Sequence, residues 1–369
     1  MQFIDLKTQY SLIENDVLKG INRVLQHGQY VMGPEITELE QKLADFVGVR
    51  YAVVNSSGTD ALLMALLALD IQPGDEVITT PFSFFATAEV ISLCHAIPVF
   101  VDIDPMTYNM DPQKLEEAIT PRTKAIMPVS LYGQCADYDE INAIADKYEI
   151  PVIEDAAQSF GGQYKGKYSC GLSTIGCTSF FPSKPLGGYG DSGACFTNDE
   201  RIAQKLIEIR VHGQNERYCH SRIGINGRMD TLQAAILIEK LKIFPDEIIM
   251  RQKVARRYDE LLSQIVKTPY IRQDASSVYA QYTIEVEDRS SFQSHLQSRG
   301  IPTAVHYPVA MHQQKALSYL KYKTGDFPHS EKASNHVISL PMHPYLLKED
   351  QVKIALAIQE ALVPELTEA

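Results

Sequence analysis

The sequence predicts an α/β fold, in which a large domain with a mostly parallel, mixed sheet between helices precedes a smaller α+β C-terminal domain. Helical and strand-like patterns alternate from about residue 35 to residue 200, which is typical of a sheet covered by helices on both faces. Beyond residue 200, long helical patterns replace this alternation. The 369 residues suffice for about two domains. We expect the large domain at residues 1–245 and the small domain at residues 246–369.

The elements of the large domain follow from residue spacing. Gly33-Pro34 precedes apolar residues at helical spacing and predicts a helix over 35–47. Short apolar runs are typical of buried strands. They predict strands at 51–54, 76–79, 97–101, 125–129, 151–154 and 193–196, and further helices are expected at 60–69 and 137–148. Because ligands of such folds bind at the carboxyl ends of the strands, we expect the functional site there.

The C-terminal part begins with long helices and ends in a mixed pattern. Helices are expected at 199–211 and from 230 to about 264, the second interrupted at Pro245 because proline lacks the N–H that a helix interior needs. A strand at 279–286, a helix at 290–299 ended by Gly300, a strand at 302–307 and a terminal helix at 348–362 follow. This mixture predicts a small α+β domain.

Charge and composition exclude several classes of function. The 46 acidic residues exceed the 34 Lys and Arg, and the net charge of -12 disfavours nucleic acids and anionic membranes as partners. The longest apolar run, 61–69, is too short to span a bilayer, and the first residues lack the features of a signal peptide. Six cysteines without paired metal spacing predict reduced thiols, no metal site and a cytoplasmic location.

The first candidate site feature is the segment Ser56-Ser57-Gly58-Thr59 between a strand and a helix. Backbone N–H groups at a helix N-terminus, with hydroxyls beside them and a glycine that permits close approach, can bind a phosphate. An ordinary capped turn has the same composition. The segment alone therefore leaves both interpretations open.

A carboxylate follows the predicted strand at 151–154, in the segment Glu154-Asp155-Ala156-Ala157-Gln158-Ser159. Asp155 at a strand end can accept a protonated ring nitrogen, and Gln158 lies one helical turn further on. A cap for a following helix is the alternative. Position at the end of a strand favours the functional interpretation.

The third feature is Lys184, within the segment from Ser179 to Gly188 that is rich in aromatic residues, proline and glycine. An apolar setting lowers the pKa of an amine, which suits a lysine that forms a Schiff base. Most loop lysines are merely solvated. A phosphate cradle, a strand-end Asp and a loop Lys, in this order, are nevertheless the parts that pyridoxal phosphate requires.

These motifs, in this order and spacing, resemble those of the nucleotide-sugar aminotransferases, a branch of the fold-type I pyridoxal-phosphate enzymes. The resemblance covers nearly the whole chain. Its motifs are Gly33-Pro34, Ser57 to Leu62, Thr80 to Phe84 with Ala86-Thr87-Ala88, Glu154 to Ser159, Ser179 to Lys184, His212-Gly213, Asn226 to Met229 and Gln233-Ala-Ala235.

The resemblance implies a role for each matching residue. Lys184 would hold the cofactor covalently and act as the general base, and Asp155 would pair with the pyridine nitrogen. Gln158 would reach the ring hydroxyl, and Phe84 would stack on the ring, although core packing is the alternative for Phe84. The phosphate would be held by Ser57, Gly58, Thr59 and Ser179. Asn226 would reach the phosphate of a neighbouring subunit, which implies a homodimer with shared active sites.

The substrate is implied less directly. Residues 300–308, with His306 and Tyr307, resemble the segment that lines the sugar pocket, and Arg228 could bind a carboxylate or phosphate. The expected acceptor is C3 of UDP-2-acetamido-2-deoxy-3-oxo-glucuronic acid, an intermediate of bacterial surface polysaccharides such as O-antigen, with glutamate as donor. The alternative is amination at C4 of a UDP- or dTDP-4-keto-6-deoxy sugar.

Two other kinds of function remain to be weighed. The same fold supports β- or γ-elimination on amino acids, but the pairing of Asn226-Gly-Arg-Met with His306-Tyr-Pro favours a sugar enzyme. A dehydratase branch of the family carries histidine at the position of Lys184, so the lysine favours transamination. A regulatory relative without turnover is disfavoured because Lys184, Asp155 and Gln158 are all retained.

Overall fold

The computed structural model describes residues 1–362, which form helices and strands in alternation. The helices are α1 (Leu6–His27), α2 (Pro34–Val47), α3 (Gly58–Ala68), α4 (Ala86–Leu93), α5 (Tyr138–Lys147), α6 (Glu200–Ile209), α7 (Thr231–Leu262), α8 (Arg289–Ser298), α9 (Pro328–His336) and α10 (Lys348–Leu362). The strands are β1 (Tyr51–Asn55), β2 (Glu76–Thr79), β3 (Ile97–Phe100), β4 (Thr123–Ile126), β5 (Ile153–Asp155), β6 (Gln163–Tyr164), β7 (Lys167–Tyr168), β8 (Ile175–Ser179), β9 (Gly193–Thr197), β10 (Gln214–Glu216), β11 (Cys219–His220), β12 (Ala275–Ser276), β13 (Tyr282–Glu285) and β14 (Val337–Leu340).

The central sheet is mixed and mostly parallel, as the sequence predicts. Strands β3, β2 and β4 pair in parallel, and β5 pairs in parallel with β8. Two parallel bridges, Ile126 with Val152 and Val129 with Asp155, join these groups. Strand β9 runs antiparallel to both β8 and β1. Apart from β9, the strands of this sheet therefore have their carboxyl ends at the same edge. Asp155 and Ser179 are the last residues of β5 and β8.

Helices cover both faces of this sheet. On one face, Leu39 of α2 and Phe244 of α7 pack with Phe196 of β9 in a buried cluster. On the other face, Leu66 of α3 and Leu206 of α6 pack in a second cluster that includes β5 and β8. Burying a side chain of this size contributes roughly 1.5–3 kcal/mol to folding. These two layers bury the sheet on both faces.

A third core lies in the C-terminal part of the chain. Antiparallel strands β13 and β14 pack with α8, α10 and the second half of α7, and Tyr258, Tyr282 and Leu340 are fully buried there. Helix α7 thus contributes side chains to two cores. The expected division between residues 245 and 246 falls inside this helix and stays a prediction.

Two local predictions are wrong. Helix α7 is not interrupted at Pro245 but continues from Thr231 to Leu262. A proline in a helix interior costs about 3 kcal/mol, and packing against α1 and α2 offsets that cost. The expected strand at 302–307 is a loop with a single bridge from Ala304 to Ser339, and the carbonyl of His306 accepts a hydrogen bond from the Tyr132 hydroxyl instead of from a neighbouring strand.

The other differences concern boundaries and missing elements. Helix α3 starts at Gly58, two residues before the expected start, because the Ser57 side chain accepts a hydrogen bond from the Asp60 N–H and caps the helix. Strands β4 and β5 are displaced from the expected 125–129 and 151–154. The long helix α1 and strand β8 were not expected. No helix within residues 1–362 has the length and apolar character needed to cross a membrane.

Candidate active site

A cavity of about 500 Å³ opens at the carboxyl ends of β5 and β8, beside the N-terminus of α3. The sheet topology brings together residues that are far apart in sequence. Of the predicted site residues, the cavity is lined by Ser57, Gly58, Thr59, Phe84, Asp155, Gln158, Ser179, Lys184, His306 and Tyr307. The sequence motifs thus converge on one site.

The N-terminus of α3 forms a narrow cradle against the end of β8. The N–H groups of Gly58 and Thr59 lie in the first turn and therefore have no helical carbonyl to bind, whereas the Asp60 N–H donates to the Ser57 hydroxyl at 3.0 Å. A Cβ placed on Gly58 would lie only 2.5 Å from Cβ of Ser179. A glycine is therefore required for this close approach, and the cradle has the shape and partial positive charge that bind a phosphate.

Replacing Gly58 with alanine tests the cradle. We expect Gly58→Ala to weaken binding of a phosphorylated ligand at least tenfold, a loss of about 1.4 kcal/mol, because the added methyl group displaces Ser179. The matched control is Gly20→Ala in α1, where the added Cβ would lie 3.4 Å from its nearest neighbour. Equilibrium dialysis of both variants with pyridoxal phosphate measures the effect, and equal affinities would contradict it.

Asp155 lies at the base of the cavity and is 4% exposed. Its Oδ2 accepts a hydrogen bond from the Thr87 hydroxyl at 2.8 Å, and its Oδ1 accepts one from the Ala157 N–H at 3.2 Å. Burial raises the pKa of this carboxyl group, whereas the two hydrogen bonds and the positive charge of Lys184 oppose the rise. The carboxylate is thus fixed on both oxygens by neutral donors and can receive a cationic group.

Lys184 lies in a turn after β8, where its backbone N–H donates to the Phe181 carbonyl at 2.8 Å. Its side chain lines the cavity and is half-buried. This burial lowers the pKa of Lys184 to about 8, although the negative charge of Asp155 favours the protonated form. A neutral amine at this position can attack a carbonyl group near neutral pH.

The pKa of Lys184 predicts the pH dependence of covalent attachment. Only the neutral amine attacks an aldehyde, so we expect the attachment rate to rise with pH through about 8 and then to level off. An ordinary lysine with its pKa of 10.5 would still be gaining rate above pH 9. Stopped-flow absorbance of the apoprotein mixed with pyridoxal phosphate gives this profile. A midpoint above pH 10 would contradict the prediction.

A hydrogen-bond network links the strand ends to the 300–308 loop. Gln158 accepts from the Tyr132 N–H and donates to the Tyr307 hydroxyl, both at 2.9 Å. The Tyr132 hydroxyl donates to the His306 carbonyl. Burial, and then the charge of Lys184, lowers the pKa of His306 to about 4, so its ring is neutral at physiological pH. Gln158 and Tyr132 therefore hold the loop against the cavity.

Residues 11–359 match the DegT/DnrJ/EryC1/StrS aminotransferase family. The chain belongs to this family. The UDP-2-acetamido-2-deoxy-3-oxo-D-glucuronate aminotransferase of Pseudomonas aeruginosa is 60% identical to it over 94% of the chain and 96% of the relative. The family that the sequence motifs predicted is thus confirmed.

Solved structures of relatives agree with the fold throughout. A DegT DnrJ EryC1 StrS aminotransferase from Brucella abortus has a TM-score of 0.95 at 44% identity, covering 98% of this chain and 100% of the other. The ntda protein of Bacillus subtilis, solved with bound cofactor PMP, has a TM-score of 0.89 at 35% identity, covering 98% of this chain and 83% of the other. The fold is that of the fold-type I enzymes, and the protein is a pyridoxal-phosphate-dependent sugar aminotransferase.

Pyridoxal phosphate fits the residues that line the cavity of this aminotransferase. The cradle at Gly58 suits its phosphate, because any Cβ there would fill the space. The buried Asp155 suits its ring nitrogen, and the amine of Lys184 suits its aldehyde. The ring of Phe84 lines the cavity while 56% exposed, which makes it available for stacking rather than committed to the core.

Two predicted residues of the aminotransferase lie away from the cavity. Asn226 is exposed, Arg228 is half-buried, and neither lines the cavity of its own chain.

Several residues that line the cavity were not predicted from the sequence, namely Leu62, Ser83, Ala86, Thr87, Val129, Ala157, Phe181, Ser183, Asp191 and Gln281. Thr87 was within a recognised motif, and that proximity was the available signal. Gln281 lies far away in sequence and carried none.

Proposed function

We propose that this enzyme transfers the amino group of glutamate to C3 of UDP-2-acetamido-2-deoxy-3-oxo-glucuronic acid. The observation that carries the proposal is the 60% identity, over nearly the full length of both chains, to a Pseudomonas aeruginosa enzyme named for this substrate. A relative from Acidithiobacillus ferrooxidans, 39% identical, is named as a 3-aminotransferase of a related UDP sugar. The product would enter the synthesis of a bacterial surface polysaccharide such as O-antigen.

The site residues divide the chemistry between them in this proposal. Pyridoxal phosphate, when bound, supplies an aromatic system that accepts the electrons released at the donor carbon. Asp155 holds a proton on the ring nitrogen by its negative charge, and Lys184 takes the proton from Cα of the amino donor. Gly58, Thr59 and Ser179, with the cap Ser57, bind the phosphate. Gln158 would bind the ring hydroxyl, and Phe84 would stack on the ring.

The sugar binds at the mouth of the cavity, beside His306 and Tyr307. The neutral His306 ring can exchange hydrogen bonds with sugar hydroxyls without adding charge. Among the cavity-lining residues that the structure describes, Lys184 is the only lysine or arginine. The carboxylates and diphosphate of the substrates therefore need cations from elsewhere.

We propose that a second copy of the chain supplies them. Arg228, next to Asn226, would reach the neighbouring site of a homodimer, where its guanidinium can bind a carboxylate or phosphate in bidentate fashion. Two large side chains shortly before Arg228 in the sequence, Tyr218 and Ile223, are 80% and 85% exposed in the single chain and support this contact. The enzyme would work in the cytoplasm, where its six free cysteines stay reduced.

A substrate panel tests the proposed reaction. The purified holoenzyme is incubated with glutamate and either UDP-2-acetamido-2-deoxy-3-oxo-glucuronic acid or a dTDP- or UDP-4-keto-6-deoxy sugar, and the aminated sugar is identified by mass spectrometry and NMR. We expect amination at C3 of the glucuronic acid derivative. Reaction of the 4-keto sugars alone would replace this proposal with the C4 alternative, and ammonia release from glutamate would indicate another chemistry.

A further inference from the structure

The hydroxyl of Thr87 has a fixed direction. Thr87 lies in the first turn of α4, is 1% exposed, and approaches Oδ2 of Asp155 at 2.8 Å. A carboxylate only accepts hydrogen bonds, so the single hydroxyl proton of Thr87 points to Asp155. The Ser83 hydroxyl, 3.1 Å from Oγ1 of Thr87, must then donate to Thr87. The order of donation is Ser83 to Thr87 to Asp155.

This chain of hydroxyls acts on the residue that the proposed function assigns to the ring nitrogen. Among the described residues, the only other hydrogen bond to the Asp155 carboxylate is the longer one from the Ala157 backbone N–H, at 3.2 Å. No arginine or lysine forms an ion pair with Asp155 in the described chain. Beside the more distant charge of Lys184, such a buried carboxylate depends on its hydrogen bonds to remain charged. Thr87 provides the shorter of the two.

We propose that Thr87, oriented by Ser83, is a positioning residue that keeps the Asp155 carboxylate charged and turned toward the cofactor ring nitrogen. The proposal rests on the proposed role of Asp155. Thr87 itself touches no reacting atom in it. Its hydroxyl restrains Oδ2 and leaves the remaining lone pairs of the carboxylate for the ring, while Ser83 prevents the hydroxyl from rotating away. Such a relay would favour the charged form of the carboxylate at the point where the ring nitrogen needs a proton.

The test compares Thr87→Val, Thr87→Ser and Ser83→Ala in holoenzyme reconstituted with pyridoxal phosphate labelled with ¹⁵N at the ring nitrogen. Valine keeps the shape of threonine without its hydroxyl, and serine keeps the hydroxyl. The ¹⁵N chemical shift reports whether the ring nitrogen is protonated. We expect Thr87→Val to shift the signal toward the unprotonated form and to weaken cofactor binding about tenfold. Thr87→Ser should retain the wild-type ¹⁵N signal and the wild-type affinity for the cofactor. Ser83→Ala should show a smaller change of the ¹⁵N signal in the same direction as Thr87→Val.

Asp155→Asn is the reference that separates this proposal from the proposed function. If Asp155→Asn moves the ¹⁵N signal and Thr87→Val and Ser83→Ala do not, the positioning role is wrong and the assignment of Asp155 stands. If Asp155→Asn leaves the signal unchanged, the assignment of Asp155 is wrong, and the role of Thr87 is wrong with it. If Thr87→Val does not fold, the Ser83→Ala signal decides alone, and an unchanged signal overturns the proposal.

Discussion

Replacing Lys184 with alanine should reduce kcat by about 10⁴-fold, the upper end of what a positioned acid–base group contributes. The expected loss is large because Lys184 serves both as the covalent anchor and as the group that moves the proton at the donor carbon. Its lowered pKa, about 8, makes the amine competent for both tasks near neutral pH. Steady-state rates with glutamate and the keto-sugar measure the loss. Reduction with borohydride, followed by peptide mapping, shows where the cofactor is attached.

Lys167→Ala is the matched control, because this lysine is exposed on β7 and lies away from the cavity. It should retain full activity and a borohydride label on Lys184. In Lys184→Ala, the label should be absent, while noncovalent binding of the cofactor persists through the phosphate cradle. A label on any other lysine in the unmodified enzyme would contradict the assignment of Lys184.

Asp155→Asn should lower kcat by about 10²–10³-fold, the range observed when one preorganised electrostatic contact is removed from an active site. Asparagine keeps the size of the side chain but removes the charge that holds the proton on the ring nitrogen. Because Lys184 remains, the cofactor should still attach covalently. The two variants are therefore expected to differ. Lys184→Ala should lose both covalent attachment of the cofactor and turnover, whereas Asp155→Asn should lose only turnover.

Rates of both half-reactions and borohydride labelling measure this difference. Asp146→Asn, an exposed change on α5, serves as the control for the loss of one acidic charge and should behave as the wild type. Thermal unfolding of all variants confirms that they fold. A wild-type rate in Asp155→Asn would exclude the proposed role of this carboxylate.

The sequence indicated those candidate site residues whose local context along the chain is itself informative. Asp155 follows a buried strand and Lys184 lies in a loop that cannot be helical, so both were identifiable as candidates from the sequence, and their roles stay predictions. Thr87 and Tyr132 were not, because their roles depend on which elements the fold places beside them. The motif around Thr87 was a signal of the site, but nothing in the local sequence indicates that Thr87 contacts Asp155 or that Tyr132 contacts His306.

The same limit explains the errors in secondary structure. Residues 302–307 have the composition of a strand, but the Tyr132 hydroxyl, more than 150 residues away, binds the His306 carbonyl. Pro245 has the local character of a helix breaker, yet α7 continues because its flanks are buried against other helices. In both cases tertiary contacts override the local preference.

Helix α7 has one more consequence, which concerns the cooperativity of unfolding. Its 32 residues span about 48 Å at 1.5 Å per residue, with Phe244 in the core of the central sheet and Tyr258 in the C-terminal core. If either core melted alone, the other would lose half of the helix that completes it. We therefore expect the two cores to unfold together, in a single calorimetric transition.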